Sequence, residues 1–342
     1  MTPRRFVGLG ELLVRLAPDG YLRFPQADRF NVNYTGAEGN MAITLCYMGM
    51  SAAMVTRLPD NDIGRCALRK LAMYGVDTSY ITFGGERIGL YYLERGASQR
   101  PSRIIYDRKH SAFSEASVDE FCWDKVLKDA DWFHFTGITA ALSENCARIC
   151  EQACITAKRL GVHVSCDLNY RKNLWTPEKA QETMRPLMQH VDVLFANEED
   201  SEKALGIQAD DTDITAGKLS VEGYTGLARK LADTFGFAKV AISLRESISA
   251  SVNNWSGLLY AGGETHISRK YTMQIVDRVG GGDSFASGMI YAFLHDMDDR
   301  TAVEFAAAAS CLKHSIEFDF NLSTPDEVQA LMLGDGSGRV RR

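Results

Sequence analysis

Short apolar segments alternate with longer segments of helical periodicity along most of the chain. The apolar segments are rich in β-branched and aromatic residues, and the longer ones carry apolar residues three or four positions apart. This alternation predicts strand–helix–strand units and hence an α/β fold, with a doubly wound, mainly parallel sheet flanked by helices. The predicted strands of this sheet are 6–10, 53–56, 132–135, 163–166, 191–196 and 239–243. The predicted helices are 40–49, 63–74, 144–160, 177–190 and 224–235, followed by a mostly helical stretch at 283–333.

Two segments interrupt this alternation, residues 11–35 and 80–108. They contain short aromatic and β-branched runs separated by glycine, serine and proline, which predicts strands joined by turns. We expect them to form a small β-sheet lid over the mouth of the main domain, where a lid excludes water from a reaction. One domain is predicted at 1–333, with a polar loop at 210–219 and a disordered tail at 334–342.

Composition narrows the class of protein. The chain has 342 residues, which suits one large α/β domain or two ordinary ones. Its formal net charge of −6 argues against a nucleic-acid or anionic-membrane surface. It contains no apolar run of about eighteen residues and no signal-peptide pattern at its N-terminus, so a cytoplasmic protein is expected. Eight cysteines occur without a CxxC motif, which predicts small buried hydrophobic residues in a reducing compartment.

A glycine-rich string stands directly before an apolar helical segment near the C-terminal end. It reads Asp277-Arg-Val-Gly280-Gly281-Gly282-Asp283. Glycines leave the backbone amides uncovered, and the dipole of the following helix adds positive potential, so an anion is favoured there. A carboxylate beside a bound phosphate can accept the proton of an attacking hydroxyl, which makes Asp283 a candidate base. The three glycines alone favour a simpler interpretation, a glycine-rich turn with Asp283 as helix N-cap.

The full string, continued to Phe285, resembles the C-terminal signature of the ribokinase/PfkB family of carbohydrate kinases, D-T-x-G-A-G-D-x-F. Arg278 stands at the threonine position, and Gly281 replaces the alanine. The segment Gly36-Ala-Glu-Gly39-Asn40 is similar to the family's N-terminal signature, which ends in an asparagine at a helix start. The resemblance implies a ribokinase-like fold, a sugar substrate, ATP and Mg²⁺. It also implies that Asp283 is the catalytic base, and that the amides of Gly280, Gly281, Gly282 and Asp283 form an anion hole.

Within that family the chain resembles the 2-keto-3-deoxygluconate kinases. The lid segments Gly89-Leu-Tyr91-Tyr92 and Tyr106-Asp-Arg108 match a tyrosine pair and an arginine that hold the sugar acid, and residues 167–175 match a D-x-N-x-R-x-x-L-W stretch. The planar fork of arginine suits a carboxylate. The resemblance implies these substrate-binding residues: Gly36, Gly39, Asn40, Tyr91, Tyr106, Arg108, Arg171 and Asp283. It implies these nucleotide-binding residues: Asn169, Arg171, Asn197, Ser243, Arg245, Gly280 and Gly282.

Two departures from the family pattern affect ATP and Mg²⁺. Relatives have a glycine-rich turn after the strand 239–243, whereas this chain reads Ser243-Leu-Arg245-Glu246-Ser247-Ile248. Either Arg245 contacts phosphates in an altered site or ATP binding is weakened, and the intact Asp283 and glycine string favour the first interpretation. The N-x-x-E element that orders water around Mg²⁺ reads Asn197-Glu-Glu-Asp200, with Asp200 in the glutamate position. Glu198 and Glu199 are alternative carboxylates, and a requirement for a monovalent cation stays open.

The predicted activity is phosphorylation of the terminal hydroxyl of 2-keto-3-deoxygluconate to give 2-keto-3-deoxy-6-phosphogluconate. One alternative is a kinase for a neutral sugar such as fructose or ribose, and another is a non-catalytic sugar-acid-binding relative with a weakened ATP site. A Rossmann dehydrogenase is the least favoured, because Gly8-Leu-Gly10 is followed by Leu13 where a third glycine is needed. Aromatic residues in the predicted lid strands also suggest a homodimer formed through the lids.

Overall fold

A large and a small sheet divide the strands of the chain. The computed structural model describes residues 4–209 and 220–334, so the predicted loop at 210–219 and all but the first residue of the predicted tail lie outside it. In chain order the strands are β1 (Arg5–Leu9), β2 (Leu13–Ala17), β3 (Asn31–Thr35), β4 (Ser51–Leu58), β5 (Ile81–Phe83), β6 (Gly89–Glu94), β7 (Arg103–Asp107), β8 (Trp132–Thr136), β9 (His163–Asp167), β10 (Val193–Ala196), β11 (Lys239–Ser247), β12 (Val252–Ala261), β13 (Glu264–Ile267) and β14 (Tyr271–Gln274).

Helices connect these strands and cover both faces of the large sheet. They are α1 (Ala37–Tyr47), α2 (Asp62–Met73), α3 (Trp123–Leu127), α4 (Gly137–Ala141), α5 (Glu144–Leu160), α6 (Pro177–Met188), α7 (Glu198–Asp200), α8 (Val221–Phe235), α9 (Gly281–Leu294), α10 (Asp299–Lys313) and α11 (Pro325–Met332). A single π-helical turn, Ser201–Leu205, continues α7. Within the described ranges, none of the helices combines the length and the apolar character that crossing a bilayer would require.

The large sheet has ten strands, of which nine follow the order β13-β12-β11-β10-β9-β8-β1-β4-β5, while β14 pairs with β12. All pairings from β5 to β11 are parallel, and those of β12 with β11, β13 and β14 are antiparallel. Because side chains alternate across a strand, neighbouring residues enter different cores. Phe6 packs with α1, α9 and α10 on one face, and Val7 packs with α5, α6 and α8 on the other. The predicted fold class is confirmed.

The small sheet, which we call the lid sheet, has the order β3-β2-β6-β7. It draws on both of the segments predicted to form a lid, but residues 81–83 do not belong to it. They form β5, which extends the edge of the large sheet in parallel with β4. The short run Ile81-Thr-Phe has no local signal that distinguishes the two sheets, because strand pairing is set by residues distant in the sequence. The predicted extent of the domain, 1–333, stays a prediction.

The antiparallel edge of the large sheet was not predicted. In β12, Asn253, Asn254 and Gly257 interrupt the apolar pattern that marks a buried strand. Gly257 is needed there because a Cβ atom would approach the Phe285 ring of α9 to 2.5 Å. The strand predicted at 239–243 is also longer than expected and continues to the end of β11. Without glycines to form a turn, Arg245 pairs with Trp255 across the ladder to β12.

The cysteines follow the expectation only in part. All eight are free, and Cys146, Cys150 and Cys154 lie buried along one side of α5. Cys122 is exposed instead, because it precedes the short helix α3 and does not face a core.

Candidate active site

A cavity of about 1290 Å³ lies between the lid sheet and the carboxyl ends of the central parallel strands. Open α/β sheets bind ligands at this edge. The volume exceeds the roughly 300–1,000 Å³ usual for a single small-molecule site, so there is room for two substrates side by side. Every residue predicted from the sequence as catalytic, substrate-binding or nucleotide-binding lines it, with the exception of Gly39.

The first turn of α9 forms one wall of this cavity. Gly280 adopts a left-handed φ of 82°, and a side chain there would collide with the carbonyl oxygen of Asp319. A Cβ on Gly281 would lie 2.5 Å from the His314 ring, whereas one on Gly282 would meet no atom within 4 Å. In the described chain, the amides of Gly282 and Asp283 donate no hydrogen bond. The turn therefore offers uncovered N–H groups at a helix start, where an anion is favoured.

Asp283 lies beside these amides and is connected to the N-terminal signature. Asn40, in the first turn of α1, donates a 2.7 Å hydrogen bond from Nδ2 to Asp283 Oδ2. Its own orientation is fixed by Thr35, whose hydroxyl donates to Asn40 Oδ1 at 2.8 Å. Burial raises the pKa of Asp283 to about 6, while the hydrogen bond from Asn40 opposes the shift. A carboxylate with this pKa is ionised at neutral pH and still basic enough to accept a proton.

The two glycines of the N-terminal signature have different surroundings. Gly36 lines the cavity, and a side chain there would collide with the carbonyl oxygen of Glu11. Gly39 does not reach the cavity, since the place of its missing Cβ lies 2.6 Å from Leu12 Cδ2. The substrate-binding role expected for Gly39 is therefore not supported by its position, and close packing of α1 on Leu12 accounts for this glycine.

The same signature contains a buried acid that the sequence did not single out. Glu38 accepts hydrogen bonds from the Thr136 amide at 3.0 Å, from the Thr136 hydroxyl at 2.9 Å and from the Thr139 hydroxyl at 2.9 Å. Burial raises its pKa to about 7, against the effect of these hydrogen bonds. Glu38 thus fastens α1, the helix that carries Asn40, to the carboxyl end of β8.

At the lid end of the cavity Arg108 is paired with Glu11, an acid that lies outside both signatures. Glu11 accepts two hydrogen bonds from Arg108 on one oxygen, one of them from Nε at 2.8 Å, and its other oxygen accepts from Ser111. The guanidinium also lies over the Tyr106 ring, 5.6 Å from its centroid. Within the described residues Nη1 of Arg108 makes no hydrogen bond. Glu11 therefore fixes the guanidinium while leaving donor capacity for a ligand.

The two lid tyrosines contribute in different ways. Tyr91 and Tyr106 occupy paired positions on β6 and β7, and their ring centroids are 5.9 Å apart. The Tyr91 hydroxyl donates to Asp319 at 2.6 Å, so it is already engaged, and its ring lines the cavity. Tyr106 is 41% exposed, which leaves it accessible to a ligand.

Opposite the lid, two carboxylates lie at the ends of neighbouring strands. Asp167 ends β9, and burial, together with the charge of Asp200, raises its pKa to about 8. Burial also raises the pKa of Asp200 to about 6, whereas the charge of Arg171 lowers it. The charge of Arg171 also lowers the pKa values of Asp283 and Asp167, so it acts on all three acids. Asn169, two residues before Arg171, has a left-handed φ of 38°.

The donor atoms at this end suit a hard divalent cation. Asn197 caps α7, accepting from the Asp200 amide at 2.7 Å and donating to its carboxylate at 2.9 Å. The described part of the chain holds no cluster of three or more histidine, cysteine or acidic ligands. Mg²⁺ commonly uses one or two carboxylates and retains several waters. Asp200 and Asp167, two buried carboxyl groups that line the cavity, fit such a site, and Glu198 and Glu199 also line it.

The region expected to bind the nucleotide carries arginines instead of glycines. Ser243 and Arg245 of β11 line the cavity, as does Arg278 of the glycine-rich string. In the part of the chain that the structure describes, Nε and Nη2 of Arg278 are buried without a hydrogen-bond acceptor. Burial lowers the pKa of Arg278, and the charge of Arg245 lowers it further. Two guanidinium groups close enough to repel each other suit a polyphosphate.

Residues 7–315 match the profile of the pfkB family carbohydrate kinases. The chain belongs to this family. A 2-dehydro-3-deoxygalactonokinase from Haloferax volcanii is 32% identical to this kinase, over 97% of this chain and 98% of the relative. A 2-dehydro-3-deoxygluconokinase from Thermoproteus tenax is 28% identical, over 95% and 93% of the two chains.

Solved structures agree with this assignment. The crystal structure of 2-dehydro-3-deoxygluconokinase from Thermotoga maritima superimposes on the kinase with a TM-score of 0.93 at 49% identity, covering 97% of this chain and 100% of that one. A fructokinase from Xylella fastidiosa with bound ATP has a TM-score of 0.74 at 20% identity, covering 96% and 98%. At that identity the likeness shows the fold alone. The family recognised from the two signatures is thus confirmed, and the chain is a carbohydrate kinase.

Proposed function

We propose that the kinase transfers the γ-phosphoryl group of ATP to the terminal hydroxyl of a 2-keto-3-deoxy sugar acid, with 2-keto-3-deoxygluconate as the first candidate. One observation carries the proposal: a single cavity holds Arg108 at the lid end and Asp283 with its uncovered amides at the other. A guanidinium recognises a carboxylate, and an amide-lined helix start recognises a phosphate. The names of the relatives from Thermoproteus tenax and Thermotoga maritima support the same substrate.

Each part of the site has a separate role in the proposed transfer. Asp283 accepts the proton of the terminal hydroxyl, and that oxygen bonds to the γ-phosphorus as the bond from phosphorus to the β,γ-bridging oxygen breaks, releasing ADP. Asn40 keeps the Asp283 carboxylate oriented throughout. The amides of Gly282 and Asp283 stabilise the negative charge that develops on the transferred group. When bound, Mg²⁺ neutralises phosphate charge, and Asp200 would hold it through water.

The arginines next to the glycine-rich string support an altered but working nucleotide site. Arg245 and Arg278 stand on the cavity wall near the amides that are proposed to receive the γ-phosphate. We infer that their two charges, together with Ser243, Asn169, Asn197 and Arg171, hold the triphosphate in place of a glycine-rich turn. This arrangement favours a kinase over the non-catalytic sugar-acid-binding alternative.

The substrate class is tested by measuring ADP release from the wild-type kinase with 2-keto-3-deoxygluconate, 2-keto-3-deoxygalactonate, fructose and ribose. We expect kcat/KM for at least one acid to exceed that for both neutral sugars by about a hundredfold, since two charge-assisted hydrogen bonds distinguish them. A preference for fructose or ribose would establish the neutral-sugar alternative. Tight binding of an acid without ADP release from any sugar would establish the non-catalytic one.

The pH dependence follows from the raised pKa of Asp283. Because the base acts in its ionised form, kcat/KM should be constant above about pH 7 and fall roughly tenfold per unit below about pH 6. In the wild type, the hydrogen bond from Asn40 stabilises the ionised form of Asp283. Asn40→Ala removes this bond and should therefore raise the pKa of Asp283 and shift the fall in kcat/KM to higher pH. Rates are measured from pH 5 to 8 with coupling enzymes in excess and circular dichroism as a check on folding. A flat profile down to pH 5 would contradict the assignment of Asp283.

The dimer through the lids stays a prediction. The edge strand β7 is exposed along its whole length, including Ile104 at 40% and Ile105 at 43%. Apolar residues on an unpaired edge strand are typical of a surface that another chain covers.

A further inference from the structure

A buried ionic cluster joins the lid sheet to the turn that precedes α9. We call it the Arg15 cluster and define it by Arg15, Asp277, Lys313 and Asp319. Arg15 lies in the middle of β2 and is 2% exposed. Its Nη1 donates to Asp319 at 3.1 Å, and its Nη2 donates to Asp277. Arg15 does not line the cavity, so it does not contact either substrate of the proposed reaction.

One row of the lid sheet converges on a single carboxylate of this cluster. Asn33, Arg15 and Tyr91 are paired residues on β3, β2 and β6, and thus form a row across three strands. All three donate to Asp319, with distances of 3.3 Å from Asn33, 3.1 Å from Arg15 and 2.6 Å from Tyr91. Tyr106 continues the row on β7 and lines the cavity. The row therefore sets the height of the lid tyrosines above the main domain.

The two carboxylates of the cluster also shape the anion-binding turn. Asp277 accepts a hydrogen bond from the Val279 amide at 3.2 Å, and its carbonyl oxygen accepts from Lys313 Nζ at 3.0 Å. The carbonyl oxygen of Asp319 packs directly against Gly280, where a side chain could not fit. Any movement of Asp277 or Asp319 would thus shift the start of α9 and the uncovered amides of Gly282 and Asp283.

The charges of the cluster are closely balanced. Asp277 is 2% exposed, and Asp319 and Lys313 are fully buried, so two carboxylates face two cations away from water. Burial lowers the pKa of Lys313 to about 8, whereas Asp277 and Asp319 oppose that shift. The charge of Asp319 also raises the pKa of Asp283. Removing Arg15 would leave excess negative charge beside a site that must bind a polyphosphate.

We propose that Arg15 is a positioning residue that couples the lid to the phosphoryl-binding turn, so that the sugar-binding tyrosines and the anion-binding amides assemble as one unit. The inference rests on the proposed phosphoryl transfer for its kinetic readout. Because Arg15 contacts neither substrate, its loss should lower kcat more than it raises KM for the sugar.

The test compares Arg15→Ala and Arg15→Lys with the wild-type kinase. We expect kcat to fall about a hundredfold in Arg15→Ala. Guanidinium ion added in the millimolar range should then raise kcat of this variant at least about tenfold, because the ion can re-form the two hydrogen bonds with Asp277 and Asp319. Urea has the same shape without the charge and should restore nothing. Arg15→Lys keeps the charge but lacks the planar fork, so its kcat should be intermediate. This variant replaces Arg15→Ala in the test if Arg15→Ala does not fold.

Arg57→Ala is the matched control. Arg57 is a partly buried arginine that forms an ion pair with Glu120 and donates hydrogen bonds to the carbonyl oxygens of Ala112 and Glu115, away from the cavity. Its loss should lower the melting temperature but leave kcat within about twofold and unaffected by guanidinium. If both Arg15 variants keep kcat within about threefold of the wild type, or if urea restores activity as guanidinium does, the proposal is wrong.

Hydrogen exchange separates this inference from the proposed function. In Arg15→Lys, amide exchange should accelerate both in residues 277–283 and in β6, since the cluster ties these segments together. Unchanged exchange in the turn would overturn the coupling, whether or not the kinase acts on sugar acids. A wild-type kinase that is inactive on every sugar acid would instead contradict the proposed function and leave the exchange result to decide the coupling.

Discussion

Asp283→Asn should lower kcat by roughly a thousandfold, within the range expected for loss of a general base, while KM and binding of the sugar change only a few-fold. The amide is nearly isosteric with the carboxylate, and its oxygen can still accept the hydrogen bond from Asn40, so the local geometry is kept. What is lost is a group that can take up the hydroxyl proton as the bond to phosphorus forms. Turnover is measured by ADP release and sugar binding by calorimetry.

Asp298→Asn provides the matched control for this substitution. Asp298 is also an acid at a helix start, where it caps α10 by accepting from the Thr301 amide at 3.0 Å, but it does not line the cavity. Asparagine caps a helix as well as aspartate does, so neither stability nor kcat should change measurably. Activity of Asp283→Asn within a few-fold of the wild type would remove Asp283 from the role of base.

Arg108→Ala should reduce kcat/KM for a sugar acid by about a hundredfold or more and leave any residual activity on fructose or ribose nearly unchanged. Hydrogen bonds to a charged group contribute about 1.5–3 kcal/mol each, and a bidentate contact to the substrate carboxylate contains two of them. The measurement is the ratio of kcat/KM for 2-keto-3-deoxygluconate to that for fructose, in the variant and in the wild type.

Glu11 complicates this experiment and also supplies its control. Glu11 is 4% exposed and pairs with Arg108, so the single variant leaves a buried carboxylate without its cation, which destabilises a protein by about 3–5 kcal/mol. The double variant Glu11→Gln with Arg108→Ala removes that charge and should recover the melting temperature without recovering activity on the acid. Equal losses on the acid and on fructose in the double variant would show that Arg108 does not recognise the carboxylate.

Periodicity was sufficient for the central parallel strands, from β11 to β4 in the sheet order, because those strands are buried on both faces and contain few polar residues. It failed at β12, where Asn253, Asn254 and Gly257 interrupt the apolar run, and Gly257 is required there by close packing against α9. It also failed to assign β5 to its sheet. In both cases the deciding contacts are made with residues far away in the sequence.

The residues of the candidate site were also predicted only in part. Glycine-rich strings with a neighbouring acid are visible in a sequence, and so Asp283 and Asn40 were both expected in the site, although the hydrogen bond between them was not. Glu11 lies outside both signatures, and Glu38 lies inside one but was not singled out there, so only the fold shows what the two acids contact. Arg15 could not be predicted from the sequence, because a lone arginine in a strand is usually exposed. Here it is buried and paired with two carboxylates that are distant in the sequence.

The hydrogen bond from Asn40 to Asp283 spans 243 positions of the chain. During synthesis, residues 40–283 must therefore all have left the ribosome before the catalytic base can meet the asparagine that orients it. Ligands that require both residues cannot bind to a nascent chain and assist its folding. If the enzyme were divided into two fragments between Asn40 and Asp283, it should be inactive until the fragments associate. Phosphotransfer would then report their association directly.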